Sequence, residues 1–301
     1  MDMHADQLAV SPAAVRRLVD AQFPRWRGLP VTAVASRGTV NAIFRIGDGL
    51  AARFPLRPGD VTAVRRSLEA EAGAARELLG RTRFRTPEPV AIGEPGEGYP
   101  LPWSVQTWLP GTVAADDDPG GSAGFARDLA EFIRGVRAID TRGRVFGGRG
   151  RGGVLRSQDE WVRVCFERST ALLDVPRLRE LWDGLRDLPR GPEPDVMAHG
   201  DLIPGNVLVA AGRLTGVIDV GDLGPADPAL DLVGAWHLVD PAVHGAFREE
   251  LTCDDAQWQR GRTWAFAQAI GLVWYYADSN PSMSGLGRRT LDRLTADHAL
   301  R

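Results

Sequence analysis

Three oxygen-bearing side chains at suggestive spacing stand out. Asp201 follows His199-Gly200, Asn206 lies five residues further on, and an apolar run leads to Ile218-Asp219. Moving a phosphoryl group from a nucleotide to a hydroxyl needs such a set. One carboxylate orients the hydroxyl and takes its proton; an amide oxygen and a second carboxylate hold magnesium on the phosphates. Two protein ligands suffice, because phosphate and water oxygens complete the shell. Asp201 is thus the candidate base, and Asn206 and Asp219 the candidate metal ligands. Turn-forming residues in a plain surface hairpin are the competing explanation, but the full pattern is more specific than any of its parts.

These groups need rigid elements behind them. Pro204-Gly205 bends the loop, and Val207–Val209 and Val217–Ile218 read as strands turning through Ala211-Gly212-Arg213. Upstream, Ser11-Pro12 reads as a helix start, with Val15, Leu18, Val19 and Phe23 at helical spacing. Val31–Val34, Ala42–Ile46 and Leu50–Phe54 look like strands, the last two joined at Gly47-Asp48-Gly49. A helix is expected over 61–79, then strands at 90–92 and 103–108. The acidic, Gly-rich stretch 114–124 reads as a linker or surface loop. Helices are expected over 125–139, 158–173 and 176–188, and several more from 228 to 299. The Gly/Arg-rich stretch 141–153 reads as a mobile segment or flap. This order predicts an α+β fold of two lobes: an N-lobe with an antiparallel sheet and helices, residues 1–111, and a mainly helical C-lobe, residues 112–301. A nucleotide is expected in the cleft between them.

Composition bounds the alternatives. The chain has 301 residues, 44% hydrophobic and 25% charged, ample for a core. A net charge of −3 gives no electrostatic case for nucleic acid or an anionic membrane. There is no lysine, so any task usually given to lysine falls to arginine. Cys165 and Cys253 lie far apart and outside metal-ligand spacing. No leader-like or membrane-length apolar run is seen, so the expectation is a soluble cytoplasmic protein with access to nucleoside triphosphate.

His199-Gly200-Asp201, Asn206, Ile218-Asp219 and the later Asp227-Pro228-Ala229-Leu230-Asp231-Leu232 together resemble the aminoglycoside phosphotransferase family. Its wider relatives include macrolide phosphotransferases, choline and homoserine kinases, and protein kinases. The resemblance implies a protein-kinase-like fold, ATP or GTP as donor, magnesium, and a small-molecule hydroxyl as acceptor, often an antibiotic. It implies structural roles for His199, Asp227 and Asp231 around the catalytic loop, with Asp227 also a candidate for facing substrate. Arg53 stands where such proteins place a phosphate-binding lysine braced by a helix glutamate. Glu71 is the chosen partner and Glu69 the runner-up. Thr39 or Asn41 is a candidate phosphate contact in a loop that lacks the GxGxxG pattern. Gln106-Thr107-Trp108-Leu109 matches the family's hinge, where a purine would bond backbone around Thr107 and Leu109.

For the acceptor, a polycation calls for acidic walls. Candidates in the C-terminal third are Asp227 and Asp278, with Trp236, Trp274 and Tyr275 as stacking surfaces, although aromatics at helical spacing commonly serve the core. The alternative activities are a kinase for a primary metabolite such as a sugar, choline or amino alcohol, and a catalytically weak nucleotide-binding module. No protein partner is inferred.

Overall fold

A computed structural model describes residues 7–34, 40–148 and 150–299. The chain divides into two compact units that are not contiguous in sequence. The first comprises residues 1–79, 85–110 and 217–221; the second comprises 80–84, 111–216 and 222–301.

In the first unit, Ser11 Oγ accepts the Ala14 N–H and Pro12 opens α1 (Pro12–Gln22). Strands β1 (Val31–Ala33), β2 (Asn41–Ile46), β3 (Leu50–Pro55), β4 (Pro89–Gly93) and β5 (Trp103–Thr107) form one antiparallel sheet in the order β1-β2-β3-β5-β4. Asp60 caps α2 (Val61–Leu78), which buries Leu68, Ala75 and Leu78. One sheet face packs with α1 around Phe54, whose ring stacks on Trp103 at 4.7 Å and meets Phe44 and Tyr99 edge-on. Burying each such ring contributes about 2–3 kcal/mol. A Cβ on Gly93 would come within 2.2 Å of Trp103, so only glycine fits there. Alternation along β3 then has a functional consequence. Ala52 and Phe54 are buried, so Arg53 projects to the other face.

The second unit opens with β6 (Thr112–Val113) and α3 (Ala123–Arg137), capped by Ser122, which accepts the Phe125 N–H at 3.1 Å. Next come α4 (Asp159–Arg168), α5 (Val175–Leu185), β7 (Val196–Ala198), β8 (Val207–Ala210), β9 (Arg213–Val217) and β10 (Gly224–Ala226). The chain ends in α6 (Val233–Leu238), α7 (His244–Leu251), α8 (Asp255–Tyr275) and α9 (Pro281–Ala299). β6, β8 and β9 form a small sheet in that order, and β7 pairs antiparallel with β10. Helix α8 is the axis of the unit: every residue from Arg260 to Gly271 is buried, and α4, α5, α6 and α9 pack on it. Gly287 lets α9 approach closely, since a Cβ there would lie 2.7 Å from the Ala269 carbonyl oxygen.

One expectation is corrected here, and two irregular stretches are located. The second strand of the hairpin that follows Asn206 is Arg213–Val217, not 217–218. Ala211 and Gly212 both take positive φ, 50° and 66°, and such a two-residue turn lets Arg213 pair at once. Asp219 therefore lies beyond the strand, at φ 58°. The stretch 114–124 is largely an exposed loop leading into α3 within the second unit, the surface loop of the two readings. Part of the Gly/Arg-rich stretch is tied down, because the Gly152 carbonyl accepts the Asp227 N–H at 2.6 Å.

Candidate active site

Pairing of β7 with β10 delivers His199-Gly200-Asp201 to a tight bend, with Gly200 at φ 84°. Asp231, 1% exposed, holds that bend from below: its two carboxylate oxygens accept the His199 N–H at 2.7 Å and the Gly200 N–H at 2.9 Å. His199 Nδ1 accepts the Asp201 N–H at 3.2 Å. The ring is buried, and through Nδ1 it serves the loop as an acceptor.

Asp201 is held from three sides. Asn206 Nδ2 donates to its carbonyl oxygen at 3.0 Å and to Oδ2 at 2.9 Å. Gln268 Nε2, from α8, donates to Oδ1 at 2.8 Å. Arg151 Nη2 donates to the Gly200 carbonyl at 2.9 Å and approaches Oδ1 at 3.4 Å. The Asp201 side chain stays 27% exposed, enough to meet a ligand. Neither Gln268 nor Arg151 was singled out in the sequence. Gln268 sits in an otherwise apolar stretch of a buried helix, and a lone polar residue there was the one available signal.

Asp227 is a brace. Its Oδ1 accepts the Ala229 N–H at 3.0 Å; its Oδ2 accepts Arg260 Nε at 3.0 Å, Arg260 Nη2, and the Trp264 indole N–H at 2.9 Å. Asp227 and Arg260 are about equally buried, 3% and 4% exposed. Its Oδ2 is thus filled from α8 and its Oδ1 by the Ala229 N–H. Trp236 is also core, 1% exposed and packed on Trp258 at 4.5 Å and on His244. The helix periodicity that exposes one face of α6 in isolation is overridden by burial on all sides. Trp274, Tyr275 and Asp278 lie at the C-terminal end of α8 and just beyond it; Tyr275 is 42% exposed and Asp278 is exposed.

In the first unit, Arg53 Nη1 donates to Glu71 Oε2 at 3.1 Å and Nη2 to Asp219 Oδ1 at 2.8 Å. Glu71, not the exposed Glu69, is the helix partner, because it lies on the face of α2 that meets Gly221. A Cβ on Gly221 would come 2.7 Å from Glu71 Cγ. The planar fork of arginine grips two carboxylates at once, which the single point charge of a lysine ammonium does less well. Asn41 begins β2 opposite Pro55; Thr39 lies outside the described residues. Gln106 pairs within the sheet with Ala51 and Pro89. Thr107 gives its N–H to the Glu88 carbonyl, and Trp108 gives its own to Gly49. Thr107 therefore has no backbone donor left for a purine. Among the described residues no backbone acceptor is seen for the Leu109 N–H.

The two metal-ligand candidates keep suitable atoms. The Asn206 amide nitrogen is spent on Asp201, which leaves Oδ1 as its ligating atom, and Asp219 retains Oδ2 beside the Arg53 bond. Both are hard oxygen donors that fit magnesium. The cysteines do not compete: burial pushes the thiols of Cys165 and Cys253 up to about 11.

The chain belongs to the phosphotransferase enzyme family, whose model matches residues 32–269. It is 32% identical over 170 residues to an aminoglycoside 3'-phosphotransferase of Streptomyces fradiae, covering 54% of this chain and 62% of that protein. An aminoglycoside 3'-phosphotransferase of Salmonella typhimurium is 26% identical over 145 residues, 46% of this chain and 52% of that protein. The chain thus spans roughly half to three-fifths of the length of these curated relatives. Among solved structures, the GDP complex of aminoglycoside 2'-phosphotransferase-IIIa superposes with a TM-score of 0.71 at 18% identity, covering 96% of this chain and all of that one. A macrolide 2'-phosphotransferase from Brachybacterium faecium gives 0.61 at 21% identity, over 93% and 97% of the two chains. The fold is that of these kinase-like enzymes, mixed α+β with an N-terminal antiparallel sheet and a mainly helical C-terminal region. Among the described residues no helix is long and apolar enough to cross a membrane.

Proposed function

We propose that this chain transfers the terminal phosphoryl group of ATP or GTP to a hydroxyl of a small molecule, an antibiotic of the aminoglycoside or a related class. One observation carries the reading: Asp201 is a partly exposed carboxylate pinned by donors from a neighbouring loop and from the central helix. Such a carboxylate orients the acceptor hydroxyl. As the new oxygen–phosphorus bond forms and the bond to the departing nucleoside diphosphate breaks, the hydroxyl proton passes to Asp201. Catalysis of this kind rests on positioning and charge stabilisation.

Asn206 and Asp219 would hold magnesium, which supplies neutralisation of the phosphate charge when bound. Arg53 turns its guanidinium to the α- and β-phosphates, and Glu71 keeps it extended. Asn41, at the start of β2, and Thr39 are candidate phosphate contacts. The Leu109 N–H and the edge of the sheet at Gln106 meet the purine. In this reading residues 1–111 carry the nucleotide, and residues 112–301 carry the catalytic loop and the acceptor. Tyr275 lies seven residues past Gln268, hence on the same helix face about 10 Å further along, which makes it the leading acceptor contact. Trp274 and Asp278 flank it. The cytoplasm supplies the donor nucleotide.

A second acceptor class has an observation in its favour. Carboxylates that would attract a polycation are paired with arginine: Asp240 with Arg293, Glu250 with Arg134, and Asp255 with Arg248. A hydroxyl compound of low charge, such as a macrolide, sugar or amino alcohol, suits such a surface. Incubation with magnesium nucleotide and a panel spanning these classes, read by mass spectrometry for an added phosphate, tests the proposal. Asp201→Ala should abolish transfer; equal phosphorylation by both proteins would defeat it.

A further inference from the structure

Asp201 Oδ1 faces a line of buried side chains that the proposed reaction does not use. Gln268 Nε2 donates to it at 2.8 Å. Behind the amide, Gln268 Oε1 lies 3.3 Å from His237 Nε2, and His237 Nδ1 lies 2.9 Å from Thr290 Oγ1. The three side chains come from α8, α6 and α9 and are 7%, 3% and 0% exposed.

Donor and acceptor roles follow from valence. A carboxylate only accepts, so Gln268 turns its NH2 towards Asp201 and its carbonyl oxygen towards the imidazole. That oxygen also only accepts, so His237 Nε2 carries the hydrogen. Burial pushes the His237 pKa down to about 3, so the ring keeps a single proton near neutrality. Nδ1 then accepts the Thr290 hydroxyl proton. Every donor points the same way, from Thr290 through His237 and Gln268 to Asp201. Reversing the Gln268 amide would set oxygen against oxygen at Asp201 and N–H against N–H at His237.

We infer that Gln268, locked in this orientation by His237 and Thr290, is a positioning residue that fixes the Asp201 carboxylate for the acceptor hydroxyl. The inference rests on the reading of Asp201 as the base. It explains why a chain of polar groups occupies the middle of an apolar helix bundle. A lone glutamine could present either end of its amide, whereas one backed by an Nε2–H imidazole presents a donor only.

Gln268→Met keeps the length of the side chain and removes the donor. It should lower kcat about tenfold to a hundredfold through misplacement of the base, with the nucleotide KM little changed, while the thermal midpoint falls by a few degrees because the buried His237 Nε2–H loses its acceptor. In an Asp201→Ala background the same substitution should cost nothing more. Gln268→Glu preserves the acceptor for His237 but presents a carboxylate to Asp201, and should lose at least as much kcat. Were Gln268 only a core residue, Met would keep the wild-type kcat. Nitrogen-15 spectra of the wild-type imidazoles should show His237 neutral and protonated on Nε2 near pH 7. Wild-type kcat in either Gln268 variant, a loss confined to nucleotide KM, or an Nδ1-protonated His237 would overturn the inference. An inactive Asp201→Ala beside a fully active Gln268→Met would overturn it alone; an active Asp201→Ala would remove the base assignment as well.

Discussion

Replacing Asp227 with alanine tests whether this carboxylate is a brace or a substrate contact. It receives one backbone N–H, two guanidinium N–H groups and an indole N–H, at a site where it and Arg260 are almost wholly excluded from water. Removing one partner of a buried pair costs about 3–5 kcal/mol, because the remaining charge is left uncompensated. The orphaned Trp264 N–H adds to this, while the bond from Arg260 Nη1 to the Leu188 carbonyl offsets part of it. A loss of about 4 kcal/mol follows, a large share of the roughly 5–15 kcal/mol that holds a typical protein folded. At about 2–4 °C per kcal/mol the thermal midpoint should fall by roughly 10 °C. The double variant Asp227→Ala with Arg260→Met removes both charges, and should recover more than half of that loss. Differential scanning calorimetry of the single and double variants measures both terms. A contact with the acceptor would instead raise the acceptor KM in both variants with little change in stability. A single-variant cost below about 1 kcal/mol, or a double variant no more stable than the single, refutes the bracing argument.

Other outcomes can be checked independently. Arg53→Ala should weaken nucleotide binding about tenfold or more, since a charge-assisted fork is lost, with little effect on the acceptor KM; isothermal titration with nucleotide reads this directly. Gly221→Ala should weaken nucleotide binding in the same direction, because its Cβ would come 2.7 Å from Glu71 Cγ and displace the partner of Arg53. The cluster of Arg83, Arg213, Asp128 and Glu131 predicts a particular acid limb of stability. Burial pushes the Asp128 pKa up, but bonds from Arg213 and Arg83 outweigh it, and its carboxyl titrates below the usual range. The bond from Arg83 holds Glu131 low as well. A depressed carboxylate stabilises fully above its unfolded value of roughly 4 and loses that contribution as pH falls through the lower folded value. Urea midpoints measured from pH 6 to pH 2 should therefore drop steeply below pH 4 in the wild type and less steeply in Asp128→Asn.

Local regularities made much of this protein readable. Alternation in Leu50–Pro55 and helical spacing in Val61–Leu78 and Ala123–Arg137 depend on neighbours a few residues away, and the elements appear within a residue or two of where pattern places them. Turn chemistry was harder. A non-glycine residue at positive φ, Ala211, shortened the hairpin and moved the second strand four residues upstream, because pairing energy outweighed the local cost at that position. Aromatic residues were hardest to assign. Trp236 and Tyr275 look alike in a helical pattern, and the core took one while solvent kept the other.

From the sequence by itself came the Asp201, Asn206 and Asp219 spacing, the arginine in the place of a lysine, and the family these imply. Those are properties of residue type and short separation. Packing alone decided that Glu71 rather than Glu69 meets Arg53, that Arg260 fills Asp227, and that Gln268, 67 residues from Asp201 along the chain, reaches its carboxylate. Contacts between distant residues depend on how whole helices and sheets dock, and that is set by the summed burial of many side chains rather than by any pattern in one segment.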